Sequence, residues 1–317
     1  MNKLHASFPL FAGLCALVAG CASASPDLDD ATDSDATVES SADELSSSTA
    51  SYITLRHDDR KCAAPRCGGY YVKDVNRVAT EVYVSGLDFK PSGYGTDAID
   101  AVLGAPMAEL VLYGKLGPTE PTFGTRTFLV LEGFRGLPGV VASSLDTFYA
   151  ASQRSPQITC FAAPCNNGVA VKLIAGTRTY YTRNSVKRAA KAFVDQPWLN
   201  DRITNHRALV AGRFVNGTKF AAGYEKVLDA SQVFLSVVDM KGRCPIVPLA
   251  PCPEGQTWTF TRNVELCVLP NHCASQPSCP SLQPPQCAVG YQVSAWRTDS
   301  VSCIAFACDP EFVATLP

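Results

Sequence analysis

Eight of the 14 cysteines crowd into the last quarter of this 317-residue chain, in two matching sets. Cys244, Cys252, Cys267 and Cys273 are separated by 8, 15 and 6 positions; Cys279, Cys287, Cys303 and Cys308 are separated by 8, 16 and 5. Both sets open on Cys-Pro, in "CPIVPLAPC" and "CPSLQPPQC". Each has a glycine three residues after its second cysteine (Gly255, Gly290) and one tryptophan (Trp258, Trp296). Four thiolates can hold a tetrahedral zinc ion or close two disulfides. Structural zinc sites draw their cysteines in pairs with roughly two to four residues between them. The intervals here are wider, so disulfides are predicted, with three pairings open within each set. A module this short cannot stabilise itself by apolar burial alone, and a disulfide closing a loop of about 15 residues contributes roughly 3 kcal/mol in the chain-entropy model.

Two further pairs, Cys62 with Cys67 and Cys160 with Cys165, each enclose four residues. A dithiol oxidoreductase encloses two, so both pairs are predicted to staple turns. His57 precedes Asp58 and Asp59 and is a candidate proton-transfer group, but nothing like it recurs near Ser155 to Gln157, where a repeat would place it. A solvated turn is the simpler reading. His206 stands alone, and His272 beside Cys273 can ligate a metal only if that thiol is free. Asp33 and Asp35 lack the glycine and distal glutamate of a calcium loop. There is no H-E-x-x-H helix and no G-x-S-x-G elbow. No catalytic, cofactor-binding or metal-ligating residue is assigned, and the expectation is a non-enzymatic protein without a cofactor.

The elements that carry these cysteines are themselves repeated. "CAAPRCGGYYVK" (from Cys62) answers to "CFAAPCNNGVAVK" (from Cys160), "ELVLYGKL" to "RALVAGRF", and "TFLVLEGFRG" (from Thr127) to "VFLSVVDMKG" (from Val233). Three matches in one order point to two tandem copies of one domain. Residues 52–56, 70–75 and 80–88 have the β-branched and aromatic content of strands. A helix is predicted next, with Thr96 as N-cap, Ile99, Val102 and Leu103 on one face and Gly104 as its stop. The second copy is predicted to carry a longer helix, with Val186, Ala189, Ala190, Phe193 and Val194 at helical spacing. Two strands close each copy. The predicted class is α+β and β-rich: two tandem small domains, each β-barrel-like or an open sheet with one helix, then two disulfide-rich modules. The boundaries are 51–145, 146–243, 244–278 and 279–317.

The N-terminus sets the compartment. Residues 1–20 read as an export signal, with the apolar run "FPLFAGLCALVAG" too short to span a bilayer. "VAGC" resembles a bacterial lipobox, and the resemblance implies cleavage before Cys21, lipid on its sulfur and an acyl chain on the new amino group. Ala22 after that cysteine implies the outer membrane under the enteric sorting rule. Residues 21–50 then form an acidic, serine-rich segment with eight Asp or Glu and no Lys or Arg, predicted to be a disordered tether. From Ser51 onward, 26 basic and 21 acidic residues leave a mild positive excess. No basic block with interleaved aromatics is present, so a nucleic-acid partner is not expected. The "CAAPRCGGYYVK" stretch and the tandem Cys-Pro modules resemble an uncharacterised domain of predicted myxobacterial lipoproteins. "CNNG" in the second copy departs from the pattern. That resemblance supports the architecture and implies no activity.

The function expected from sequence is a lipid-anchored envelope protein that binds a protein or glycan partner. A secreted-protease inhibitor, using the proline-bearing loops 245–251 and 280–286, is the first alternative. A hydrolase whose site leaves no local motif is the second. The Cys21→Ala variant is expected to lose acylation and either to accumulate as precursor or to leave the detergent phase. An acylated variant of normal mature mass would refute the lipobox.

Overall fold

The computed structural model describes residues 49–154, 163–239, 244–275, 278–279, 282–298 and 303–313. The signal segment, Cys21, most of the tether and Cys160 lie outside the described residues. Among the described residues, no helix is long and apolar enough to cross a membrane.

The first copy runs β1 (Ser51–His57), β2 (Tyr70–Asp74), β3 (Val82–Val84), β4 (Leu87–Asp88), α1 (Thr96–Leu103), β5 (Leu110–Leu116) and β6 (Phe128–Gly136). The second repeats the order: β7 (Thr147–Gln153), β8 (Gly168–Lys172), β9 (Arg178–Tyr181), β10 (Arg183–Ser185), α2 (Gln196–Thr204), β11 (Asn205–Phe220) and β12 (Gly223–Ser236). Neither copy closes into a barrel. All of these strands belong to one open sheet, in the order β3-β2-β1-β5-β6-β12-β11-β7-β8-β9, with β4 beside β6 and β10 beside β12, both parallel. The second half is the first half reversed, as a two-fold rotation requires.

The centre of that rotation lies between β6 and β12, which pair antiparallel as Phe134 with Ser236, Arg135 with Leu235 and Gly136 with Phe234. A shared bulge fixes the equivalence of the copies. It falls between Tyr113 and Gly114 where β5 meets β6, and between Ala211 and Gly212 where β11 meets β12. This equates Phe134 with Phe234 and Arg135 with Leu235. The sequence match of "TFLVLEGFRG" with "VFLSVVDMKG" is therefore out of register: β6 answers to "VLDASQVFLS", from Val227 to Ser236. Similar alternation of apolar residues in the two stretches hid the slip.

The helices depart from expectation in one copy. α1 lies where predicted, although Gly95, not Thr96, is its N-cap, and Leu103 is exposed while Val102 is buried. In the second copy the stretch from Val186 to Val194 is mostly turns, and the helix begins at Gln196. Val186, Ala189 and Val194 are buried as their spacing implied. Phe193, however, has φ of 66°, which no α-helix tolerates. Asp195 accepts the Trp198 N–H at 3.1 Å, and Pro197 sits in the first turn of α2. This is a start signal that the apolar period overshadowed.

Three apolar clusters form the core. Val102 of α1 joins Ile53, Val72, Leu112 and Phe128, and Trp198, Leu199 and Ile203 of α2 join Ala151, Ala170, Val210 and Leu228. Each copy also sends the residue beyond its last strand into its neighbour's core. Leu137 enters the second cluster and Val237 the first, both essentially unexposed. The third cluster fills the opposite face of the sheet, where the halves meet. Val75 and Leu173, Val111 and Leu209, and Phe134 and Phe234 are pairs of equivalents within it.

Beyond the sheet, β13 (Gln256–Arg262) pairs with β14 (Val268–Ser275), and β15 (Tyr291–Arg297) with β16 (Ile304–Pro310). Each hairpin module is closed by two disulfides of the same pattern, first cysteine to third and second to fourth: Cys244–Cys267 and Cys252–Cys273, then Cys279–Cys303 and Cys287–Cys308. Cys62 bonds Cys67, and Cys165 is also disulfide-bonded. The modules do not stand apart. Leu266, Tyr291, Cys308, Phe312 and Val313 are buried in the same cluster as α2.

Phe234 is 1% exposed and packs against the Phe148 ring at 5.7 Å within the third cluster. Phe234→Ala is expected to lower unfolding stability by about 3–5 kcal/mol, the range for emptying an aromatic core site, when followed by urea denaturation. A loss well below about 1 kcal/mol would mean that the halves do not depend on this seam.

Candidate binding surface on the cysteine modules

Two buried arginines dock the modules. Arg202 of α2 is 3% exposed and donates through Nη2 to the Val264 carbonyl at 2.8 Å and to Glu265 at 2.9 Å. Arg207 holds the other oxygen of Glu265 at 2.6 Å. Burial works to raise the Glu265 pKa, but hydrogen bonds from Arg207 and Arg202 outweigh it and hold the carboxyl below its ordinary range. Arg262, at the end of β13, pairs with Asp195 at 3.0 Å and with the buried Asp309. Asp309 also accepts from Ser294 at 2.5 Å. Asp195 caps α2, Asp309 lies on β16, and the Arg262 guanidinium lies 4.9 Å from the Trp296 ring centre. One side chain thus ties together the second copy and both modules.

Where the modules meet, Phe260, Val268, Ala295, Trp296, Arg297 and Ile304 line a shallow groove of about 340 Å³. Val268 and Ile304 are exposed although both lie on strands. The loop from Cys244 to Cys252 adds Ile246, 97% exposed, and Leu249. It is fixed at both ends by disulfides and, two residues before Cys252, by Trp258, whose Nε1–H donates to the Ala250 carbonyl at 2.8 Å. The two tryptophans therefore have different tasks. Trp258 positions a loop, and Trp296 lines the groove under the cover of Arg262.

The remaining sequence candidates fall into other surroundings. Asp58 is paired to Arg60, with Nε at 2.8 Å and Nη2 at 2.9 Å, and that hydrogen bonding holds its carboxyl low. The Cys62–Cys67 staple closes the same loop, and the Tyr83 hydroxyl donates to the Pro65 carbonyl at 2.9 Å. The His57 ring lies 4.9 Å from that of Tyr70. Cys273 is disulfide-bonded, so the thiol that His272 would need as a co-ligand is occupied. Among the described residues, no three His, Cys, Asp or Glu gather as a metal site would require. Sequence reasoning missed Arg202, Arg262 and Asp309. Asp309 carried a signal as a charge ending the apolar run of β16, whereas Arg202 and Arg262 stand among polar neighbours that give none.

Residues 51–240 match the family described as a domain of unknown function, DUF6748. The chain belongs to that family. An uncharacterized protein of Dictyostelium discoideum is 28% identical over 270 residues, covering 83% of this chain and 88% of its own length. No solved structure matches the chain. The family match spans both copies together and stops short of the modules, whereas an alignment over 270 residues must run well beyond one copy.

Arg262→Met is expected to destabilise the protein by about 3–5 kcal/mol, because it leaves Asp195 and Asp309 without their cation. Thermal unfolding and proteolysis between the sheet and the modules measure this. The double change with Asp309→Leu should recover a large part of the loss, since the buried charge then goes with its partner.

Proposed function

We propose that this chain is an exported, lipid-anchored envelope protein that binds a protein partner through its cysteine modules and performs no catalysis. The observation that carries the reading is the concentration of exposed apolar side chains on covalently fixed backbone. Ile246, Leu249, Val268, Val289, Val293 and Ile304 all face solvent there. Exposed apolar surface of this kind marks interaction sites, and a loop already held by disulfides loses little entropy when it binds. The anchor is assigned to Cys21. Attachment by lipid needs no transmembrane helix.

A protease-inhibitor reading is favoured by one feature, the loop 245–251, which is exposed and clamped by Cys244 and Cys252. Two surface variants separate the readings. Val268→Ser with Ile304→Ser alters the groove, and Ile246→Ser with Leu249→Ser alters the loop; neither pair removes a buried residue. Deleting residues 244–317 would not be equivalent, because it strips buried side chains from the core around α2. For a binding protein, the groove variant is expected to lower capture by cross-linking on intact cells by about tenfold or more, with circular dichroism unchanged. Inhibition of broad-specificity proteases that is lost only in the loop variant would establish the inhibitor instead. Capture at wild-type level by both variants would remove the modules from the binding function.

A further inference from the structure

A second candidate lies on the duplicated sheet and shares no lining residue with the groove. Where the two copies meet, a cleft of about 630 Å³ opens between the turn after β2 and the segment that links the copies. This falls within the range of about 300–1,000 Å³ typical of small-molecule sites. Val75, Phe148 and Phe234 form its apolar floor, and Lys73, Arg77 and Lys172 bring three cations to its walls.

The two carboxylates in the cleft are already engaged. Asp74, 3% exposed, accepts from Ser51 at 2.5 Å and pairs with Arg77 at 3.4 Å. Asp146 accepts from the Ser143 N–H at 2.9 Å and from Ser231 at 2.5 Å. Lys73 and Lys172 form no ion pair among the described residues; Lys73 is felt by Glu81, whose two oxygens are taken by Arg56. Cationic charge is therefore left over at the wall. The lip is apolar: Val78 and Leu145 are almost fully exposed, with Val141 beside them.

The lip is also held in place. The fully buried Gln232 donates to the Leu137 and Val140 carbonyls, and the buried Glu109 accepts the Gly139 N–H at 2.9 Å. The linker thus cannot easily fold its apolar side chains away from water. The second copy differs at the equivalent place, where the turn after β8 has Ile174, Ala175 and Gly176 in the positions that Asn76, Arg77 and Val78 hold after β2.

We propose that this cleft binds a small amphipathic anion, a carboxylate on an apolar body, with Lys73 and Lys172 at the head group and Val78, Leu145 and the phenylalanine floor around the body. The probe is decanoate, titrated calorimetrically into the purified full chain at up to roughly 1 mM, where binding is still measurable. Acetate serves as the head alone, and decyltrimethylammonium as the same body with the opposite charge. Decanoate is expected to bind saturably and to raise the unfolding temperature, and neither control should do so. Lys73→Gln with Lys172→Gln is expected to weaken decanoate about tenfold or more, as is Val78→Ser with Leu145→Ser. The groove variant Val268→Ser with Ile304→Ser should bind it as wild type does, which keeps this test independent of the module reading. No saturable decanoate binding, equal binding of the cationic amphiphile, or unchanged affinity in both cleft variants would overturn the proposal.

Discussion

The structure depends on one short antiparallel contact, β6 against β12. Its register places Arg135 opposite Leu235, two equivalent positions, so the pairing is the same read from either copy. Contacts of this self-complementary kind ordinarily join the subunits of a dimer; here they lie within one chain. The contact joins two strands that would otherwise be exposed sheet edges. It also directs Leu137 and Val237 into each other's half and brings the two inner faces together as a third core. Gly136 shows how tight the join is. A Cβ there would lie 2.7 Å from the Gln232 amide that holds the linker carbonyls.

Outside this join the construction is asymmetric, and the asymmetry follows from what each copy must support. α1 covers its half with modest help from the turns around it. α2 carries Trp198, Arg202 and the Asp195 cap, and it has the cysteine modules packed against it. Buried arginines are costly to desolvate and are retained where each donor has a fixed partner. Arg202 reaches the first module through its Nη2, and Arg262 engages the second copy and the second module through its two Nη groups, so both hold the modules against the sheet. The disulfides make each module rigid internally, but they do not attach it to the sheet. The arginines and the buried Leu266, Tyr291 and Phe312 do that.

This division bears on how the surfaces can work. The apolar groove sits on backbone fixed by four disulfides, and the cationic cleft sits on backbone fixed by buried amide and carboxylate groups. Both are preorganised, so little ordering entropy opposes a ligand at either. Membership of the DUF6748 family covers the duplicated sheet, where the cleft lies, and leaves the modules outside the matched residues.

The sequence by itself determined the duplication, the first strands of each copy, the first helix and the two self-closing cysteine modules. Each of these is written locally, as a spacing of cysteines, an alternation of apolar residues or a glycine stop. It misplaced the second helix, because burial of Val186, Ala189 and Val194 at helical spacing is equally served by turns that touch the same core. It slipped the register of the last repeat, because alternating apolar residues look alike when shifted, and only the bulge shared by β5 and β11 distinguishes the alignments. The pairing of β6 with β12, the docking of the modules by Arg202 and Arg262, and the gathering of Lys73 and Lys172 around one cleft were decided by tertiary structure alone. Each brings together residues dozens to about a hundred positions apart, and no local pattern of residue types records which distant groups will meet.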